Sequence, residues 1–204
     1  MTSIKLYYSN FTRATRPRWL LEELGVPYEL VPIDMKAGAH KQPQYVDNVH
    51  PHGAVPAAEI DGKHIIESGA IVATLADRFL DKGLAPKTDS PDRAAYFQWL
   101  FYSQATLEPA IVQMLEVKKA NEAGAPLADT VQREAHWKTA LGFIEKGLGK
   151  NDWITGQRFS AVDCVLGSLL AWANGAKIVE GYPAIAGYVD RCKARPAFQK
   201  ARKD

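Results

Sequence analysis

The chain is poor in cysteine, in unbroken apolar runs and in any excess of one charge. Its two cysteines in 204 residues, Cys164 and Cys192, lie in helical patterns with no CxxC or metal-ligand spacing. That excludes a disulfide scaffold and a dithiol redox motif, and it fits a reducing compartment. No apolar run approaches the length of a membrane span, and the N-terminus MTSIKLYYS has no apolar leader core. A cytoplasmic protein without membrane contact is therefore expected, and the sequon Asn10-Phe11-Thr12 is discounted as a sugar site. The 25 basic and 23 acidic residues, net +2, are mixed along the chain, so no nucleic-acid footprint is visible. The one locally basic stretch, 193–203, reads as a solvated helix end. What remains is an ordinary globular composition, 47% hydrophobic and 24% charged, long enough for one large domain or two small ones.

Residues 53–70, GAVPAAEIDGKHIIESGA, organise the first half. Residues 57–60 and 63–66 are short apolar runs around Asp61-Gly62, a dipeptide suited to the positive φ angles of a tight hairpin. Glu67-Ser68 follows, then Ile71, Val72, Leu75 and Phe79 at helical spacing, which predicts Ser68 as a helix N-cap. A helix N-terminus with a serine hydroxyl is a carboxylate site, and Glu67 beside it suits an ammonium, so the pair fits an α-amino-acid head group. Pro56, in Val55-Pro56-Ala57, lacks a backbone donor and is expected to be cis in a tight turn.

Upstream, residues 3–8 read as a buried strand. A helix follows that starts close to Thr12, carries Trp19, Leu20, Leu21 and Leu24, and stops at Gly25. Residues 28–33 form a second strand, which completes a βαβ unit. The polar segment 36–53 is an irregular helix and loop. Its His50 and His52 have H-x-H spacing, but no further ligands are near in sequence, so no metal site is expected.

Beyond the Gly/Pro/charge-rich residues 81–89 the periodicity is helical throughout. Ser90-Pro91-Asp92 predicts a helix start, and Pro109 a kink. Residues 128–148 form an amphipathic helix, and 162–172 the most apolar one. Ser160 and Asp163 have capping-box spacing, worth about 0.5–2 kcal/mol of folding stability.

The order VPA, hairpin, ES, helix resembles the thioredoxin-like domain of cytosolic glutathione transferases, and Gly156-x-x-x-Ser160-x-x-Asp163 resembles the capping motif of their helical domain. The resemblance implies an α/β thioredoxin-like domain at 1–80, a linker at 81–89 and an all-α domain at 90–204. It also implies glutathione as co-substrate and a homodimer. Val55 and Pro56 would hold the peptide backbone of glutathione, and Glu67 and Ser68 its γ-glutamyl end. In such domains sulfur chemistry occurs at the tip after the first strand. This chain has no cysteine there, so the thiol must come from outside, and hydroxyl donors before a helix N-terminus would stabilise its thiolate. Thr12-Arg13-Ala14-Thr15-Arg16 resembles the segment of theta-, delta- and phi-like members in which a serine sits four residues before an arginine. Thr12 takes the serine's place, with Tyr8 and Ser9 left open as alternative donors. Ala54 departs from the Lys or Gln common there, so His40, Lys41 or His52 would have to meet the glycine carboxylate. Tyr102, Leu107 and Met114 are the expected lining of an electrophile groove. A binding or assembly module without the reaction, or a specialised isomerase, dehalogenase or peroxidase, stays open at this stage.

Overall fold

The structure, a computed structural model, describes residues 2–203. Two compact units divide the chain, one running up to Ala85 together with the stretch from Arg195 on, the other Pro86–Ala194.

In the first unit, strand β1 (Ile4–Tyr8) lies between β2 (Glu29–Pro32), parallel to it, and β3 (Ala57–Ile60), antiparallel, while β4 (Lys63–Ile66) pairs with the far side of β3. The β3–β4 turn has the predicted chemistry: Asp61 and Gly62 both take positive φ, 49° and 78°. Helix α1 (Thr15–Leu24) ends at Gly25 in the left-handed conformation, whose N–H bonds back to Leu21. It packs against α3 (Ser68–Arg78), and Leu6, Trp19, Leu20, Ile71, Val72 and Leu75 are fully buried. The segment between β2 and β3 carries a single 3₁₀ turn, Ala39–Lys41, and the short helix α2 (Pro43–Asn48).

Three boundaries differ from expectation. Helix α1 starts at Thr15, not near Thr12, because residues 12–14 form a turn in which the Ala14 N–H bonds to the Thr12 hydroxyl. Ser68 is the first helical residue rather than the cap. The cap position belongs to Glu67, and the Ser68 hydroxyl is turned inward to accept from Arg16 at 2.9 Å. In the second unit, α4 (Arg93–Tyr102) begins after Asp92, since the Ser90 hydroxyl binds the Asp92 N–H in a turn outside the helix.

The predicted kink before Pro109 takes the form of a π-turn, Ser103–Leu107, leading into α5 (Glu108–Glu122). Proline supplies no N–H, and its ring crowds the carbonyl four residues back, so a locally widened turn admits it. Helix α6 (Thr130–Leu148) lies so close to the Trp99 ring of α4 that a Cβ on Gly147 would stand 2.4 Å from it and force the ring to shift. Helices α7 (Ala161–Gly175) and α8 (Pro183–Ala194) complete this unit.

The last helix, α9 (Pro196–Ala201), expected within the all-α domain, packs on α1 instead. Phe198 meets Trp19 edge-on at 4.7 Å, and Arg195 makes two 2.6 Å bonds to Glu23. Glu22 and Glu23 give α1 an acidic rim that matches the basic end of the chain, and Lys200 bonds to Glu22. The basic stretch thus forms specific ion pairs.

Asp163 is the polar node of the second unit. The predicted reciprocal cap with Ser160 is present, but the carboxylate also accepts from the Ile154 N–H at 3.2 Å and the Tyr188 hydroxyl at 2.9 Å. Burial pushes its carboxyl from 3.8 up to about 6, against the pull of these donors. Removing it strands four buried donors, the Ile154 and Ser160 N–H groups and the Ser160 and Tyr188 hydroxyls, so Asp163→Ala should cost about 3–5 kcal/mol, more than a cap alone. A carboxyl with a raised folded pKa favours folding most below its unfolded value and loses that contribution as pH rises through about 6. Denaturant midpoints from pH 4 to 7 should therefore show a falling contribution of up to about 3 kcal/mol in the parent chain. Asp163→Ala should lack that slope.

Candidate functional site

The sheet register gathers the site. Tyr7 pairs with Ala57, and Ala57 with Ile66, so one row of the sheet joins the end of β1, the start of β3 and the end of β4. The chain beyond each of these residues leaves from the same end of the sheet. There Tyr8-Ser9 enters the tip, Val55-Pro56 precedes β3, and Glu67-Ser68 opens α3. Segments some fifty residues apart in sequence are neighbours for this reason alone.

At the tip, the Thr12 hydroxyl donates to the Ser9 carbonyl at 2.6 Å and accepts the Ala14 N–H at 3.2 Å. Its proton is directed inward in the ligand-free chain. Tyr8 lies under the Arg18 guanidinium, 5.0 Å from its ring centroid. Phe11, between Asn10 and Thr12, stands in the left-handed region at φ 57°.

The Val55-Pro56 bond is cis. The loop before it is fastened by Tyr45, whose hydroxyl donates to the Ala54 carbonyl at 2.8 Å; burial pushes that phenol up to about 12, so it stays a donor. Gly53 lies against the 3₁₀ turn, where an added Cβ would stand 2.6 Å from the His40 carbonyl, and Lys41 donates to the His52 carbonyl at 3.0 Å. The three candidates for the glycine carboxylate, His40, Lys41 and His52, are thus brought together next to Ala54. His50 is buried beside them, its Nδ1 accepting the His52 N–H at 3.3 Å. Burial and the neighbouring His52 lower its pKa, partly opposed by Glu67, so the ring is neutral and its Nδ1 free to accept.

Glu67 takes φ 70° and ψ 112°, outside the regions open to side-chain-bearing residues, and its carboxylate is exposed. Strain of this kind persists where the surrounding structure holds it, often at a functional site. Next to it in the chain, the Ser68 hydroxyl accepts from Nη1 of Arg16, which is buried in α1. Sequence reasoning named neither Arg16, His50 nor Tyr45 as part of the site. Arg16 lies in the segment from Thr12 to Arg16 that carried the family resemblance, which is a readable signal; the other two had none.

The expected groove residues do not converge. Tyr102 lines a cavity of about 280 Å³ with Gln98, Thr106, His136, Thr139 and Phe143, and its hydroxyl bonds to the Ala140 carbonyl. Leu107 is fully buried core, and Met114 is half-buried on α5. Leu107 has no surface left for a ligand.

The glutathione S-transferase N-terminal domain family matches residues 4–77, and the C-terminal domain family matches 118–191. Glutathione S-transferase 3 of Zea mays is 30% identical, covering 98% of this chain and 93% of its own. The chain belongs to the glutathione S-transferase family. Glutathione S-transferase GstA of Escherichia coli O157:H7 is 29% identical over 97% of this chain and 96% of its own. A solved glutathione transferase from Methylococcus capsulatus superposes with a TM-score of 0.82 at 27% identity, over 98% of this chain and 97% of its own. Family membership and the thioredoxin-like plus all-α architecture agree with the resemblance read from the sequence.

The strain at Glu67 is measurable. An L-residue in the left-handed region costs about 1–2 kcal/mol, and glycine avoids this while losing some chain entropy. Glu67→Gly should be more stable to denaturant than Glu67→Ala by about 0.5–1 kcal/mol. Equal stabilities would show that residue 67 is unstrained.

Proposed function

We propose that this glutathione S-transferase binds glutathione at the gathered sheet end and ionises its thiol for attack on an electrophilic small molecule. The observation that carries the reading is the shared row of Tyr7, Ala57 and Ile66, which sets a hydroxyl-bearing tip, a cis-proline loop and a strained Glu-Ser pair around one space. The exposed Glu67 carboxylate and the N-terminus of α3 suit the ammonium and carboxylate of the γ-glutamyl end. The Val55 backbone is offered to the cysteinyl amide. His40, Lys41 or His52 meets the glycine carboxylate.

At the tip, the thiol gives its proton to solvent and Thr12 donates to the sulfur. A carbon–sulfur bond then forms as the leaving group departs with its electron pair. The Thr12 hydroxyl has a single proton, held by Ser9 in the ligand-free chain. A bond to an anion is worth about 1.5–3 kcal/mol and a neutral one about 0.5–1.5, so rotation toward a thiolate is favoured by about 1 kcal/mol. That corresponds to lowering the thiol pKa by about one unit from its usual 8.5 or so. Relatives solved with bound glutathione support the co-substrate: a homologue from Sulfitobacter and a family member from Pseudomonas fluorescens. We further place the protein in the cytoplasm as a homodimer, supported by the buried thiols of Cys164 and Cys192 and by the exposed Phe101 and Phe143 on α4 and α6, which a second copy would cover.

Glutathione titrated into the parent chain should show thiolate absorbance in the ultraviolet with a pKa about one unit below that of free glutathione. Thr12→Ala should restore the ordinary value with little change in affinity, and Thr12→Ser should keep it low. A low pKa that survives Thr12→Ala but not Tyr8→Phe or Ser9→Ala would move the donor role. Calorimetry of Glu67→Ala should show binding weakened about ten-fold or more. An unchanged dissociation constant would remove Glu67 from the site.

A further inference from the structure

Hydrogen bonds hold the loop that leads into Val55-Pro56. The His50 N–H reaches the Tyr45 carbonyl at 3.1 Å, and the His50 carbonyl accepts from the Gly53 N–H at 2.8 Å. Lys41 donates to the His52 carbonyl, and the Tyr45 hydroxyl to that of Ala54. In each of these the acceptor is a backbone carbonyl, which does not titrate. The His52 N–H differs, because its acceptor is Nδ1 of the buried His50 ring, and a proton taken up at that nitrogen removes the bond. A side chain that accepts from the N–H two residues on is ordinarily Asn or Asp. The turn would be served as well by an asparagine oxygen, which stays an acceptor at any pH near neutral. What histidine adds in this place is a response to protons.

The His50 ring is 6% exposed, and its centroid lies 6.0 Å from that of His52. Burial first, then His52 and Lys41, lower its pKa below the ordinary 6.5, while Glu67 raises it. Tyr45 on α2 is pushed up to about 12 by burial and stays uncharged. His50 is therefore neutral at pH 7.5 and charges on acidification. Its Nδ1–H then faces the His52 N–H, two donors with no acceptor between them, and the loop has to open. The effect reaches the ligand through the backbone, since the same loop carries His52 and the Val55 amide that is offered to glutathione. We propose that His50 is a positioning residue of the glutathione site, and that protonation of its ring releases the His52 N–H and weakens glutathione binding. This rests on the functional reading above.

S-methylglutathione is the probe, because it keeps the peptide groups of glutathione and has no thiol to ionise. Its dissociation constant is measured by calorimetry from pH 8 to pH 5 in the parent chain, His50→Asn and His50→Ala. A neutral hydrogen bond corresponds to about two- to ten-fold in affinity. At pH 7.5 the parent and His50→Asn should bind alike, and His50→Ala more weakly by that factor. On acidification the parent should lose the same factor relative to His50→Asn, which has no ring to charge. Contributions from Glu67, His40 and His52 are common to both chains and cancel in the ratio. Denaturant midpoints at pH 7.5 and 5 separate a loosened loop from unfolding, and if His50→Ala does not fold, the ratio of parent to His50→Asn carries the test alone. Parallel pH profiles for these two would overturn the proposal, as would His50→Asn binding as weakly as His50→Ala at pH 7.5. Binding by the parent that tightens in acid relative to His50→Asn would overturn it too, by making the charged ring a contact for a carboxylate. If the parent binds the probe but the profiles are parallel, only the role of His50 falls. If the parent does not bind it at pH 7.5, the glutathione reading falls as well.

Discussion

The site depends on one constraint, the hydrogen-bond register that sets Tyr7, Ala57 and Ile66 side by side. Backbone pairing is cooperative, and a slip of one residue would turn every side chain of a strand to the opposite face. Leu6 and Ala58, a directly paired couple, are both fully buried, so such a slip would drive core residues into water. Burial therefore locks the register, and the register places three loops at one end of the sheet. None of these loops has to find the others through its own side chains.

What the side chains add is rigidity. Arg16 ties the start of α3 to α1 through Ser68, Tyr45 fastens the residue before the cis-proline loop, and Gly53 lets the 3₁₀ turn close to a distance that any Cβ would forbid. The donors and charges of the proposed glutathione site are thus held before a ligand arrives, which lowers the ordering cost of binding. Thr12 is the exception. Its hydroxyl is committed to Ser9 by a bond weaker than one to an anion, and the proposed donor role requires it to turn outward.

The helical unit is organised around a buried carboxylate. Asp163 joins the loop at Ile154, the start of α7 and the middle of α8 through hydrogen bonds, so three segments are held by two oxygens. A buried charge is tolerable only when its partners are present, and a network of this kind favours one arrangement over looser packings. The cysteine beside it in sequence, Cys164, and Cys192 on α8 are both buried. The tip itself carries hydroxyls and no thiol of its own.

Much of this was legible in the chain itself, because the signals are local. The hairpin at Asp61-Gly62, the stop at Gly25, the cap of Ser160 on Asp163 and the proline before β3 each follow from the conformational limits of one or two residues. The order of these signals was enough to suggest the family. Features that join distant parts of the chain were not legible: the inward turn of Ser68 toward Arg16, the burial of Leu107, the extra donors on Asp163, and the attachment of α9 to α1 through Glu23 and Arg195, 172 residues apart. A residue's type sets which bonds and conformations it can adopt, and so the sequence by itself determined the elements, their ends and the chemistry on offer at the tip. Which partner meets each side chain depends on the packing of every element between them, and only the tertiary structure decided that.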